Sequence, residues 1–339
     1  MTAGVSEHPL IAAAQPLDYD LVAASDAPFL VDTVYRGEML CVTFGYVDWA
    51  RRPDFDFFGR LKKLETTSGA PINKLLLRDP GNAWYQRGLP GVGADIDAVA
   101  ARLGELIETV APKQTVFIGQ SMGAYGAIMF GALLDVTTIL AFGPLSFFDP
   151  VSAVTYHDRR WLQVMLDLDQ DPPPIMHRDL PALCRARGEG PDLRVFFGTK
   201  PDVGASESTG LDVLHAMRFA ALANCRVQPF PASGHAVVNY LIETGQIDAL
   251  LARHILGIDT DEPAPPDDWV SWIGENVRRG ADLDELTATM IQAGNDERLT
   301  RSALDRVIHA EARTRELRPS GDELKSPNGL AGRSDFQPR

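Results

Sequence analysis

Apolar residues along the chain follow two alternating patterns. Short segments rich in apolar residues, of a length typical of buried strands, lie at 39–44, 74–78, 115–120, 136–142, 193–197 and 226–230. Between these segments apolar residues recur every three or four positions, most clearly at Ile96, Val99, Leu103, Leu106, Ile107 and Val110 after the capping residue Asp95. Strands separated by helices imply right-handed crossovers, so the pattern predicts an α/β fold with a mainly parallel sheet flanked by helices.

The remaining segments fill in the domain plan. Two shorter runs, 18–25 and 29–35, predict early strands, whereas 57–65 and 211–223 predict helices. Residues 144–191 are too long for a simple connection and predict a lid-like insertion in a main domain, 1–258. An acidic, proline-rich linker at 259–268 then leads to a small helical appendage at 269–317, and 318–339 has no periodicity and is expected to be disordered.

The strand at 115–120 ends in the sequence Gly119-Gln120-Ser121-Met122-Gly123, which has the form G-x-S-x-G. On a sharp strand-to-helix bend, Ser121 would be presented to a general base. The N–H of Met122, at the helix start, would point at the oxygen of an attacked carbonyl. The competing interpretation is an ordinary glycine-rich turn with a solvent-facing serine.

A second oxyanion donor is predicted after the strand at 39–44, where Gly45 is followed by Tyr46. Loops at the carboxyl ends of parallel strands meet at one edge of the sheet, so the N–H of Tyr46 or Val47 could reach the site. An ordinary strand-ending turn explains the same sequence.

A nucleophilic serine needs an imidazole and a carboxylate. His235 follows the last strand, and His157 and His177 are its competitors. For the acid, Asp202 follows the strand at 193–197 and is the first choice. The alternatives are Asp149, Glu207 and Asp212.

Composition excludes several classes of function. The 339 residues carry a formal charge of -14, which argues against a nucleic-acid partner. The N-terminal sequence lacks a basic region followed by an apolar stretch, and no long apolar segment predicts a membrane span. Three scattered cysteines indicate a reduced, cytoplasmic protein. No histidine pair has metal-site spacing, and the predicted chemistry requires neither a metal nor an organic cofactor.

From about residue 18 to 256 the chain resembles an α/β-hydrolase, through the elbow at 119–123, the Gly198 to Asp202 segment and Ser233-Gly234-His235. The resemblance implies Ser121 as nucleophile, His235 as base and Asp202 as orienting acid. Two features depart from the family pattern. Phe44-Gly45 replaces the usual His-Gly pair, and the acid lies one residue later than usual.

Substrate contacts are expected at two places. The segment Asn82-Ala83-Trp84-Tyr85 is similar to hydrolase-like proteins associated with bacterial surface glycans, which implies Trp84 and Tyr85 as substrate-binding residues. In the insertion, an anionic or sugar-like group could be held by His157, Arg159, Arg160 and Trp161. The competing interpretation is a solvated helix with Trp161 turned inward.

The sequence therefore predicts a serine hydrolase that cleaves an ester, thioester or similar acyl bond of a small-molecule or glycan-linked substrate. An acyltransferase using the same triad is the second hypothesis. The third is a hydrolase-like scaffold without catalysis, which would bind a protein partner through the C-terminal helices.

Overall fold

The computed structural model describes residues 8–32, 37–188, 190–200, 211–258, 267–297, 299–304 and 306–308. Its centre is a seven-stranded sheet in the order β1-β3-β2-β4-β5-β6-β7. Only the β1–β3 pair of this sheet is antiparallel, so the predicted mainly parallel sheet is confirmed. The strands are β1 Phe29–Asp32, β2 Met39–Phe44, β3 Ile72–Leu77, β4 Gln114–Gln120, β5 Thr138–Phe142, β6 Asp192–Gly198 and β7 Cys225–Phe230.

Helices cover both faces of the sheet. One apolar cluster includes residues of α4, α5 and α9, and a second includes residues of α3, α10 and α11. Helix α5 is apolar all round and almost completely buried, as expected for the central helix behind a parallel sheet. The helices that cover the two faces are α3 Phe58–Ser68, α4 Ile96–Val110, α5 Met122–Leu134, α9 Leu211–Ala220, α10 Val237–Glu243 and α11 Ile247–Leu256.

The N-terminal segment differs from its prediction. It forms two short helices, α1 Pro9–Ala12 and α2 Tyr19–Ala24, so the strand predicted at 18–25 is wrong. The Asp18 side chain accepts a hydrogen bond from the Leu21 N–H at 2.8 Å. This cap satisfies one of the N–H groups at the start of a helix and selects the helix over an extended chain.

The insertion at 144–191 packs against the main core. It contains α6 Pro150–Thr155, α7 Leu162–Gln170 and α8 Leu180–Ala186. Trp84 anchors it, because its ring stacks on Phe148 with centroids 4.7 Å apart and meets Trp161 edge-on at 4.8 Å. The insertion is therefore a fixed side wall of the domain in this structure.

The C-terminal helices form a small cluster of their own and also contact the main domain. Helices α12 Asp267–Arg278 and α13 Leu283–Gln292 pack with helical residues 299–304 and 306–308 around Ile273, Leu286, Met290, Ala303, Leu304 and Val307. Arg301 donates a hydrogen bond to the Tyr240 hydroxyl at 3.1 Å and lies over the Phe230 ring. Most of the predicted linker and the tail lie outside the described residues, so the division at 258 stays a prediction.

Candidate active site

Ser121 occupies a strained turn between β4 and α5. Its φ of 52° and ψ of -117° lie outside the regions that most side chains adopt. Its N–H donates to the Phe142 carbonyl at 2.9 Å, which fixes the bend. A Cβ on Gly119 would lie 2.2 Å from the Gly123 carbonyl carbon, and one on Gly123 would lie 2.0 Å from the Phe44 oxygen. A side chain at either position would clash with the neighbouring backbone, so both positions require glycine.

His235 meets this serine from the loop between β7 and α10. Its Nε2 lies 2.9 Å from the Ser121 Oγ, which is hydrogen-bond distance for a base and its nucleophile. The loop passes against the end of β6, where a Cβ on Gly198 would lie 2.0 Å from the Gly234 oxygen. The motifs around Ser121 and His235 therefore come together at the carboxyl edge of the sheet.

Among the described residues, the carboxylate in contact with His235 belongs to Asp212. Its Oδ2 lies 2.8 Å from His235 Nδ1, and its side chain is buried in the first turn of α9. Asp149 instead caps α6, where it accepts from the Val151 N–H. Asp202, the first choice from the sequence, lies outside the described residues, as does Glu207. Asp212 reaches His235 because α9 returns to the sheet edge after the connection that follows β6.

Arg160 holds the other oxygen of Asp212. Its Nη1 lies 2.8 Å from Asp212 Oδ1, so each carboxylate oxygen has one partner. Burial by itself raises the pKa of Asp212, but the neighbouring His235 and Arg160 outweigh it and hold the pKa well below its ordinary value. Arg160 was predicted to bind substrate. Here it is an ion-pair partner of the acid.

The same guanidinium is itself held by a second carboxylate. Asp158 accepts from Arg160 Nε at 3.1 Å and from Nη2 at 2.8 Å, in a bidentate pair. Burial again raises the pKa of Asp158, and its hydrogen bonds from His215 and Arg160 bring it well below the ordinary range. Both Asp158 and Arg160 come from the insertion, so the side wall holds the Asp212 carboxylate in place.

His215 completes this buried network. Its Nε2 lies 2.8 Å from Asp158 Oδ2, and its Nδ1 accepts from the Ser146 N–H at 2.9 Å. An Nδ1 that accepts a backbone N–H carries no proton, which defines the neutral Nε2–H form. Burial lowers the pKa of His215, in agreement with that form. Although Ser146, His215 and Asp158 resemble a second triad in composition, all three are buried and are structural in this arrangement.

The two predicted oxyanion donors have different surroundings. Met122 is the first residue of α5, so its N–H has no acceptor within the helix. The Tyr46 N–H instead donates to Asp56 Oδ2 at 3.1 Å. Burial raises the pKa of the Asp56 carboxyl to about 8. Sequence reasoning gave no role to Asp56, which lies among aromatic residues and has no recognisable motif.

A cavity of about 410 Å³ opens beside these groups. Gln120 and Ala236, the neighbours of Ser121 and His235 in the chain, lie on its wall. Tyr46 and Asp56 form another part of the wall, and α10 and the first turn of α3 supply the rest, including Phe58, Asn239 and Ile242. The volume is in the range of small-molecule sites.

The other predicted substrate-binding residues lie away from this cavity wall. Trp84 and Tyr85 are fully buried. The Tyr85 hydroxyl donates to the Gly45 carbonyl at 2.9 Å, so this residue supports the loop that carries Tyr46. His157 is exposed in the turn between α6 and α7, so the helix of the competing interpretation is absent at this position. Trp161 is partly buried against the core, as that interpretation expected.

The described residues contain no cluster of three or more metal-ligating side chains. Within the same part of the chain, every helix is too short or too polar to cross a membrane.

The sheet order, the elbow at Ser121 and the order Ser, Asp, His along the chain define an α/β-hydrolase fold. No protein-family model matches the chain, and no curated protein is significantly similar to it in sequence. Solved structures with a similar fold include the capsule O-acetyltransferase of Neisseria meningitidis serogroup A. That structure has 15% identity and a TM-score of 0.44, and the match covers 65% of this chain and 90% of that one.

Two further structures are similar at the same level. The fluorophosphonate-binding serine hydrolase FphF of Staphylococcus aureus has 13% identity and a TM-score of 0.42, over 68% of this chain and 88% of that one. The glycosylation-associated Gap123 complex of Streptococcus agalactiae has 15% identity and a TM-score of 0.44, over 68% of this chain and 44% of that one. Similarities this weak carry no argument about activity, which has to come from the site itself.

Proposed function

We propose that the protein is a serine acyl hydrolase that uses Ser121 as nucleophile, His235 as general base and Asp212 as orienting acid. One observation carries the proposal. Ser121 Oγ, His235 and Asp212 form a continuous hydrogen-bonded chain, with contacts of 2.9 and 2.8 Å, at a strained strand-to-helix turn. Strain of this kind persists where the surrounding structure supports it, and it is concentrated at functional sites.

The chemistry follows from these contacts. His235 Nε2 takes the Ser121 proton as Oγ attacks the acyl carbon, and Asp212 stabilises the imidazolium through Nδ1. The tetrahedral oxyanion accepts a hydrogen bond from the Met122 N–H. Its collapse breaks the bond to the leaving alcohol or thiol, which receives the proton from His235. The resulting acyl-enzyme is then attacked by an acceptor that His235 deprotonates in turn.

Water is the acceptor that the geometry favours. The His235 side chain is 20% exposed beside the open cavity, so solvent can reach the base. Transfer of the acyl group to an alcohol or amine uses the same triad and would require that acceptor to displace water. The substrate is a small-molecule or glycan-linked acyl compound in this proposal.

A scaffold without catalysis is disfavoured by the same geometry. A protein that only binds has no need of a strained serine, a histidine at hydrogen-bond distance and a buried carboxylate with an ion-pair partner. Binding to a protein partner through the C-terminal helices remains compatible with catalysis, because the triad lies wholly upstream of them.

Turnover of a short-chain aryl ester tests the proposal. Ser121→Ala should abolish turnover with an unchanged unfolding temperature, since only the Oγ is removed. His235→Ala should be nearly as damaging, and the double variant no worse than either single variant, because triad members act as a unit. Undiminished turnover by pure Ser121→Ala protein would exclude Ser121 as the nucleophile.

A further inference from the structure

A second cavity, of about 460 Å³, lies on the α11 side of the sheet and shares no residue with the triad. Strands β6 and β7, helix α11 and the C-terminal helical segment supply its walls. The described residues that line it include no Asp or Glu, but include four arginines and one histidine: Arg194, Arg226, Arg253, Arg301 and His254. The four guanidinium groups contrast with the formal charge of -14 on the whole chain.

Two of these arginines lie opposite each other on neighbouring strands. Arg194 and Arg226 are register partners in the parallel β6–β7 pair, so their side chains leave the same face of the sheet side by side. Like charges in that position destabilise a sheet unless an opposite charge lies between them. Arg194 has Asp192 as an ion-pair partner at 2.8 Å. Among the described residues, no carboxylate lies within ion-pair distance of Arg226.

Arg301 provides an independent observation. It is only 5% exposed, and one side of its guanidinium is satisfied by the Tyr240 hydroxyl and by Glu297. Its Nη1 atom is buried and has no hydrogen-bond partner in the described part of the chain. A buried charged donor without an acceptor is costly. An acceptor in the cavity would remove that cost.

We propose that this cavity binds the phosphate group of a small organic phosphate. Guanidinium groups that approach from two strands and from the C-terminal segment suit a tetrahedral oxyanion, whose several oxygens accept from different directions. The cavity is far larger than a phosphate ion, and Phe196 and Phe230 provide apolar wall for an attached organic group. Burial, Arg194 and Arg253 lower the pKa of His254 to about 4, as expected in a positively charged cavity.

The proposed phosphate site shares no residue with the proposed catalytic triad. Ser121→Ala should bind the phosphate ligand as well as the wild type does, so the two proposals can fail separately. It also gives the C-terminal helices a role, because Arg301 completes the site from outside the hydrolase domain.

Calorimetric titration of the full chain with inorganic pyrophosphate tests the proposal. We expect one bound ligand per chain. We also expect affinity to fall about tenfold in Arg226→Gln, which loses one charged donor group at an exposed position. Arg301→Gln should weaken binding at least as much. Arg51→Gln, an exposed arginine elsewhere, is the matched control and should leave binding unchanged.

Three outcomes would overturn the proposal. These are absence of binding, binding unaffected by Arg226→Gln, and equal binding of malonate, which would show a carboxylate site. The thermal unfolding of Arg301→Gln, measured alongside, shows whether docking of the C-terminal helices is intact. If that variant is misfolded, Arg226→Gln alone decides.

Discussion

Replacement of Arg160 by Met tests how the side wall supports the triad. The substitution removes the guanidinium and keeps a chain of similar length. It leaves Asp212 Oδ1 without its 2.8 Å partner, in a side chain that is only 8% exposed. A hydrogen bond to a charged group contributes about 1.5–3 kcal/mol. If the whole of this energy contributes to stabilising the transition state, its loss lowers turnover about 10- to 100-fold.

The assay is kcat/KM for aryl ester hydrolysis across pH, with Arg159→Met as the control. Arg159 is the neighbouring residue and is exposed, so its loss should change little. In Arg160→Met, removal of the positive charge raises the pKa of Asp212, which Arg160 helps to hold down. Because Asp212 must also be ionised for activity, kcat/KM of the variant should fall more steeply than that of the wild type at the low-pH end of the profile. A purely structural role would lower the unfolding temperature without changing the shape of the profile.

Stability supplies a second readout for the same variant. Asp158 and Asp212 both have folded-state pKa values below their ordinary value. A depressed carboxyl pKa stabilises the fold above about pH 4, and this contribution is lost as the pH falls further. Wild-type protein should therefore lose stability below pH 4, and Arg160→Met should lose less. Normal kcat/KM and an unchanged profile in Arg160→Met would refute the positioning role.

Three further predictions follow from other parts of the structure. Asp212→Asn should lower turnover on the order of 10⁴-fold, whereas Asp202→Asn should have almost no effect, and the reverse result would restore Asp202 as the acid. Wild-type turnover should fall above about pH 8 as the Asp56 carboxyl, whose pKa burial raises, ionises beside the Tyr46 N–H, whereas Asp56→Asn should keep its rate there. Truncation after residue 258 should leave a folded domain that retains ester turnover at a lower unfolding temperature, and insoluble protein would show that the boundary is wrong.

The parts of the fold that the sequence predicts are those that local patterns determine. Buried strands have short segments rich in apolar residues, and α4 has a regular apolar stripe after Asp95, so both are readable from the sequence. The elbow is readable because glycine is required on both sides of Ser121 by close backbone contacts. The error at 18–25 arose because a short apolar run suits either a strand or a helix, and only the cap at Asp18 distinguishes them.

The contacts that hold the Asp212 carboxylate join distant parts of the chain. Asp212 meets His235 across 23 positions and Arg160 across 52, and no local spacing indicates either contact. The one available signal is that Asp212 and His215 interrupt an otherwise apolar helix face, where a buried polar side chain needs a partner. Trp84 and Tyr85 show the opposite case, because a resemblance of the segment 82–85 implied substrate contact for two side chains that are fully buried and used for packing.

The central claim is that Ser121 is an activated nucleophile. Reaction of the full chain with a fluorophosphonate probe, followed by mass analysis of the labelled peptide, tests this most directly. The account predicts one adduct per chain on Ser121, labelling lost in Ser121→Ala, and much slower labelling in His235→Ala and Asp212→Asn. Absence of labelling in folded wild-type protein, or an adduct on another residue that persists in Ser121→Ala, would contradict it.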